Sequence, residues 1–160
     1  MPEVNTKNDY QVIKNKALKL MSIRMHTRKE LSVKLLRKFS KEGSQKIIEE
    51  VLKRFEELKI LNDELFAEIF LGNLIKHKTF GYYGVLMKLK NRGIEDGLAR
   101  RFLGKSLTSD VELSIGLSFV RRKRMFDPQK VAASLVRKGF RTETISKIIR
   151  NLDKERMNIV

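Results

Sequence analysis

One set of apolar positions occurs three times in this chain of 160 residues. Leu31, Val85 and Val131 stand 54 and 46 residues apart, and the same offsets relate Leu35, Leu89 and Leu135. They also relate Ala17, Leu71 and Leu117, then Leu20, Leu74 and Val120. Within each copy apolar residues recur at spacings of three and four, the period of a helix with one buried stripe, and alternating runs are scarce. A repeat of roughly 45 to 55 residues marks small supersecondary units, each too small to bury a secure core alone and stabilised by stacking on its neighbours. Two basic columns share the offsets: Arg24, Lys78 and Arg124, and Lys38, Arg92 and Lys138. The expected fold is all-α, an elongated, curved array of three tandem three-helix repeats.

The first helices are expected at 10–25, 63–77 and 110–124, the second at 28–38, 82–92 and 128–138, and the third at 45–58, 95–104 and 143–152. These place the repeats at 10–61, 62–108 and 109–152, with polar tails at 1–9 and 153–160. Ile48, Ala99 and Ile145 align in the third helices, as do Val51, Phe102 and Ile148, once the KFSKEGSQ connection is allowed three extra residues. Thr27 with Glu30 is a capping-box pair, and Ser109 with Glu112 repeats the pattern. Asp127–Pro128 supplies a side-chain cap and a residue suited to the first helical position. Gly93 and Gly139 stand where a left-handed residue ends a helix, whereas Phe39 occupies that place in the first repeat. Gly81 and Gly84, in the first turn of the middle helix of the second repeat, point either to close helix approach or to a frayed turn.

The formal net charge is +16, from 35 Lys and Arg against 19 Asp and Glu. The excess is spread: 15 basic against 8 acidic residues in 1–61, 8 against 5 in 62–108, and 12 against 6 in 109–160. It belongs to the helical body rather than to a basic tail, and directs attention to anionic partners. With no Cys, a disulfide scaffold and thiolate metal sites are excluded. No apolar run reaches the roughly 18 residues a membrane span requires, and the polar opening MPEVNTKNDY lacks a signal-peptide core. A cytoplasmic protein without membrane attachment is expected.

The stretch ILNDELFAEIFLGNLIKHKTFGYYGVLMKLKNRGI, residues 60–94, resembles the central signature of the RecX family of RecA regulators. Asp63, Phe66 and Ala67 open one helix of that signature, and Gly81, Leu89, Gly93 and Ile94 surround the next. The segment ALKLMSIRMHTRKELSVKLLRK at 17–38 is similar to the family's opening segment through Arg24, Glu30, Leu31 and Leu35. DPQKVAASLVRKGF at 127–140 matches more loosely through Leu135, Arg137 and Gly139. The likeness covers about residues 10–152 and rests on order and spacing rather than on any single motif. It implies three tandem three-helix repeats, binding to RecA and to the RecA–single-stranded DNA filament along its groove, and inhibition of recombinase and ATP-hydrolysing activity.

Candidate contacts with DNA or the filament are the repeated cations Arg24, Lys38, Lys78, Arg92, Arg124 and Lys138, joined by Arg121, Arg122, Lys123, Arg137 and Arg141. Four consecutive basic residues at 121–124 cannot all face one ligand, because successive helical positions turn by about 100°. Cations near helix C-termini also complement the dipole, which gives the columns a structural reason of their own. Phe80, Tyr82 and Tyr83 lie beside Lys76 and Lys78, an interleaving able to stack bases, though aromatics at helix junctions more often fill a core. His26 and His77 have no carboxylate cluster near them in sequence, and neither metal nor cofactor is expected.

Catalysis is not expected. Asp63 and Glu64 read as first-turn charges, and Glu49, Glu50, Glu56 and Glu57 as an exposed face with partners such as Lys53 and Arg54. No P-loop, HExxH or GxSxG occurs. The expected activity is that of a monomeric, non-enzymatic regulator that binds RecA, its filament and DNA itself. The competing reading is a sequence-specific helix-turn-helix transcription factor, which would concentrate its charge in one recognition helix. A nucleic-acid-processing enzyme is a third reading, disfavoured by the missing metal-binding carboxylates.

Overall fold

The computed structural model describes residues 6–157 and, among these, contains nine helices and no strand. In chain order they are α1 (Thr6–Ile23), α2 (Arg28–Lys38), α3 (Ser44–Glu57), α4 (Asp63–Lys76), α5 (Tyr82–Asn91), α6 (Asp96–Ser106), α7 (Ser109–Arg122), α8 (Pro128–Arg137) and α9 (Thr142–Met157). They fall into three successive sets of three. Of the two expected tails, 1–5 and 158–160 lie outside the described residues, whereas 6–9 and 153–157 are helical. Asp9 in the first turn complements the dipole of α1, and the Leu, Lys, Glu, Arg and Met of NLDKERM are good helix formers that carry α9 past 152.

Local signals set most boundaries. Thr27 and Glu30 close both arms of the capping box, with Glu30 N–H donating to Thr27 Oγ1 at 3.1 Å and Thr27 N–H to Glu30 Oε2 at 3.4 Å. Asp127 Oδ1 accepts from the N–H groups of Gln129 and Lys130, and Pro128 opens α8. Gly93 and Gly139 adopt φ +91° and +75°. The second capping box does not form. Thr108 caps α7, its hydroxyl accepting from Val111 N–H at 3.4 Å, so Ser109 is already helical and Glu112 is drawn into the interior. Phe39 ends α2 without left-handed backbone (φ −117°), and Gly43 (φ +84°) makes the turn into α3 instead.

Packing divides the chain into two compact units. One comprises residues up to Phe66 together with Arg92–Ile94. In it α1 packs on α2 and α3, and α2 on α3. Ile13, Ala17, Leu31, Leu35, Ile48, Val51, Leu52, Phe55 and Leu61 form the core, with Tyr10, Leu20, Met21 and Phe39 against it. The other comprises Ala67–Asn91 and the chain from Glu95 onward. Here α9 packs on α7 and α8, and α5 on α6.

The second-helix columns hold throughout: Leu31, Val85, Val131, Leu35, Leu89 and Leu135 are all buried. Three other columns slip, and in one of them Leu20 and Leu74 are half-buried while Val120 is buried. Leu117 is half-buried because Gly116 takes the inward place, where a β-carbon would overlap the Ile148 side chain of α9. Phe102 is also half-buried, while Ala99 and Leu103 face inward on α6.

Candidate filament and nucleic-acid interface

Four of the expected contact residues, Arg24, Arg92, Lys138 and Arg141, sit at two joints of related build. In the first unit, the hydroxyl of Thr27 at the head of α2 donates to Arg92 O at 2.5 Å, and Arg28 N–H donates to Asp63 Oδ1 at 2.8 Å. Gly93 passes so close to Lys29 that a β-carbon there would strike the lysine stem. In the second unit, at the same offsets of 54 and 46, Gly81 N–H donates to Lys138 O at 3.1 Å. Tyr82 N–H, the counterpart of Arg28 N–H, donates at 2.8 Å to Oε1 of Glu112, which lies one turn further along its helix than the counterpart of Asp63. Tyr83 N–H donates to Gly139 O at 2.8 Å, and Gly139 lies against the backbone of Gly84. At the head of α5 the N–H groups of Gly81 and Tyr83, which no helix can satisfy internally, hold Lys138 and Gly139 at the end of α8. At the head of α2 the Thr27 hydroxyl holds Arg92 at the end of α5, and the Arg28 N–H reaches Asp63 at the start of α4. Gly81 and Gly84 serve close approach: a β-carbon on either would overlap the backbone of Phe140 or Lys138.

Around the first joint, Glu30 bridges two cations, Arg92 at 2.7 Å and Arg24 at 3.0 Å. Burial raises its pKa, but the guanidinium groups of Arg92 and Arg24 and the Thr27 N–H outweigh that and hold it below the ordinary glutamate value. Asp63 shifts the other way, because desolvation exceeds the help from Arg28 N–H. His26 is buried beside them. Its Nδ1–H donates to Arg24 O at 2.9 Å, and its Nε2 accepts from Lys34 Nζ at 2.9 Å. Desolvation first, then the charges of Arg24 and Lys34, push its pKa below 6.5 despite the Arg24 carbonyl and Glu30.

The second joint contains the most enclosed charge. Glu112 is fully buried, and its carboxylate accepts from Tyr82 N–H at 2.8 Å, Arg141 N–H at 3.1 Å, Arg141 Nε at 2.7 Å and Thr144 Oγ1 at 2.7 Å. Desolvation pushes this carboxyl upward, yet these four donors win and leave its pKa below 4.5. Arg141 also donates to Leu107 O and lies over the Tyr82 ring, 5.0 Å from its centroid. Nothing in the local sequence pattern around Glu112 except its place on the apolar stripe of α7, with Ile115 and Phe119, marks it as interior.

The expected cations therefore separate by what they already hold. Arg24, Arg92 and Arg141 carry joint contacts. Arg121 pairs with Glu155, and Arg122 donates to Lys78 O at 3.0 Å, to His77 O and to Thr79 Oγ1. Lys38, Lys78, Lys123, Arg124 and Arg137 are exposed and Lys138 half-buried, none with a carboxylate partner among the described residues. Lys78 and Arg124, equivalent in the repeats, share left-handed backbone, φ +48° and +50°, just past the ends of α4 and α7. Phe80 lies under two ammonium groups, Lys88 at 4.3 Å and Lys138 at 5.0 Å. Tyr82 and Tyr83 meet edge to face at 5.4 Å. Among the described residues no three His, Asp or Glu side chains gather to hold a metal, and no helix is long and apolar enough to cross a membrane.

Known proteins share this arrangement. The family model for the RecX first three-helix domain matches residues 14–55. The regulatory protein RecX of Prosthecochloris aestuarii is 30% identical over 142 residues, covering 86% of this chain and 91% of that protein. The chain belongs to the RecX family. RecX from Staphylococcus aureus strain JH9 is 26% identical over 159 residues, 96% of this chain and 57% of that protein. The crystal structure of RecX from Lactobacillus salivarius is 26% identical, covers 92% of this chain and 98% of its own, and superposes with a TM-score of 0.80. The all-helical order of three sets of three is thus the RecX fold, and the relatives are named as regulatory proteins.

Proposed function

We propose that this chain regulates the RecA recombinase by binding RecA and the RecA–single-stranded DNA filament, mainly inhibiting recombinase activity and ATP hydrolysis. Its membership of the RecX family carries the reading. The physical support is the charge of +16 and the exposed cations Lys38, Lys78, Lys123, Arg124 and Arg137, which no internal carboxylate neutralises among the described residues. Such side chains neutralise phosphates, release counterions and bind without base preference, so DNA itself is a partner as well as the filament. The protein acts as a cytoplasmic monomer and needs no chemistry of its own: occupying the filament obstructs its growth and the motions that accompany ATP turnover.

The test titrates the protein into RecA, single-stranded DNA and ATP while following hydrolysis and filament length. Slower hydrolysis and shorter filaments are expected. Unchanged hydrolysis and length at saturating protein contradict the reading. In a parallel mobility-shift comparison, unrelated duplexes should bind alike; strong preference for one sequence would instead support a transcription factor.

A further inference from the structure

A cleft of about 350 Å³ opens in the second unit, lined by Thr79, Phe119, Arg122, Lys123, Ser134 and Lys138 among others. Its side chains converge from the turn after α4, the end of α7 and the body of α8. Three are cations, and no carboxylate lines the cleft. Arg122 is fixed by the carbonyls of His77 and Lys78 and the Thr79 hydroxyl, all uncharged partners, so its charge is positioned but not cancelled. Lys123 has no side-chain partner among the described residues, and Lys138 rests its ammonium only on the Phe80 ring.

Ser134 adds a hydroxyl to the cleft wall. It is 8% exposed, lines the cleft, and its hydroxyl has no hydrogen-bond partner among the described residues. The residue is enclosed, but its oxygen is not sealed off and opens on the cleft, where a ligand can reach it. A phosphate oxygen in the cleft would accept from Ser134 while its negative charge met Arg122, Lys123 and Lys138. Both kinds of contact are stronger when the acceptor is ionised.

We propose that this cleft seats one phosphate group and, resting on the function proposed above, that in the bound state the group is an internal phosphate of the single strand. The seat gives the second unit one fixed point on the DNA backbone, with affinity but no base selection.

Two probes test it on the full chain. Inorganic phosphate is followed by amide NMR shifts, and a fluorescent oligo-dT strand by anisotropy across a salt series. Wild type should show saturable phosphate-dependent shifts at Thr79, Lys123 and Ser134, and Ser134→Ala should weaken them about tenfold with an unchanged melting temperature. The pair Lys123→Gln with Lys138→Gln should lower oligo-dT affinity and flatten the log–log salt slope by about 0.7, the value for one lost single-strand phosphate. The charge-matched pair Lys105→Gln with Lys147→Gln, outside the cleft, should keep the slope. If both pairs lose the same affinity and slope, the cleft is no seat, although DNA binding stands. Absent oligo-dT binding with intact phosphate shifts would keep the seat and overturn DNA as its source. Absent phosphate shifts with wild-type affinity for Ser134→Ala overturn the proposal outright.

Discussion

Nε of Arg141 lies 2.7 Å from Oε2 of Glu112, a carboxylate with no solvent exposure at all. From sequence, Arg141 reads as an anion contact and Glu112 as part of a helix cap. In the structure each answers the other, and the Tyr82 and Arg141 N–H groups with the Thr144 hydroxyl complete the ring of donors. A buried pair of this kind need not add net stability over an apolar replacement, but removing one half strands the other. Arg141→Ala should therefore cost about 3–5 kcal/mol in urea unfolding. If stability is unchanged and only filament binding falls, Arg141 is a contact residue after all.

The glycines divide into two classes with opposite expected signs. Gly139 combines φ +75° with contact against the Gly84 backbone, so Gly139→Ala should lower the melting temperature. Gly72 and Gly104 lie inside α4 and α6 with open space where a β-carbon would stand. Alanine at either should stabilise the helix by about 0.5–1 kcal/mol, read as a higher urea midpoint. A loss at Gly104 would show that the open side of α6 is not open in solution.

The second-helix columns were legible because they are covered in every repeat, so their residues had to be apolar. Leu31, Leu89 and Leu135 show that rule without exception. Leu117 and Phe102 slipped because close approach at Gly116 and small Ala99 changed which neighbouring position faces inward. The basic columns were legible as positions but not as roles. Arg92 and Lys138 are equivalent by offset, yet one pairs with Glu30 and the other lies over Phe80. What a cation holds depends on residues about 60 positions away, such as Glu30 from Arg92, and helical periodicity is blind to that. Ser134, part of the proposed phosphate seat, carries no mark in the sequence, because a single serine on an apolar stripe has no pattern.

His26 gives the protein a pH dependence of defined sign. Its pKa is lowered in the folded state, chiefly by desolvation, so below 6.5 the unfolded chain takes up the proton first. Stability is full above 6.5 and falls as pH drops from there toward the folded value. Protonation also places a third positive charge beside Arg24 and Lys34. Urea midpoints should decline from pH 7.5 to about 5.5, and His26→Gln should remove most of that slope. An equal slope in the variant would assign it to other groups.

Joint cations and exposed cations should behave differently when replaced. Arg92→Ala releases Glu30, a carboxylate only 16% exposed, and is expected to lower the melting temperature. Lys78→Ala and Arg124→Ala should instead leave melting within about 0.5 kcal/mol of wild type while weakening filament binding. Matching effects from the two classes, in melting and in binding, would erase the distinction.

Salt tests most directly the proposal that cations on the helical body bind the RecA–DNA filament through phosphate charge. Filament affinity is measured from about 50 to 200 mM salt for wild type and for a chain with Arg121, Arg122, Lys123 and Arg124 all replaced by Ala. A straight fall of log affinity with log salt is expected for wild type, with a weaker affinity and shallower slope for the variant at unchanged helicity. Affinity that stays flat across the series, or an identical line for both chains, would contradict the account.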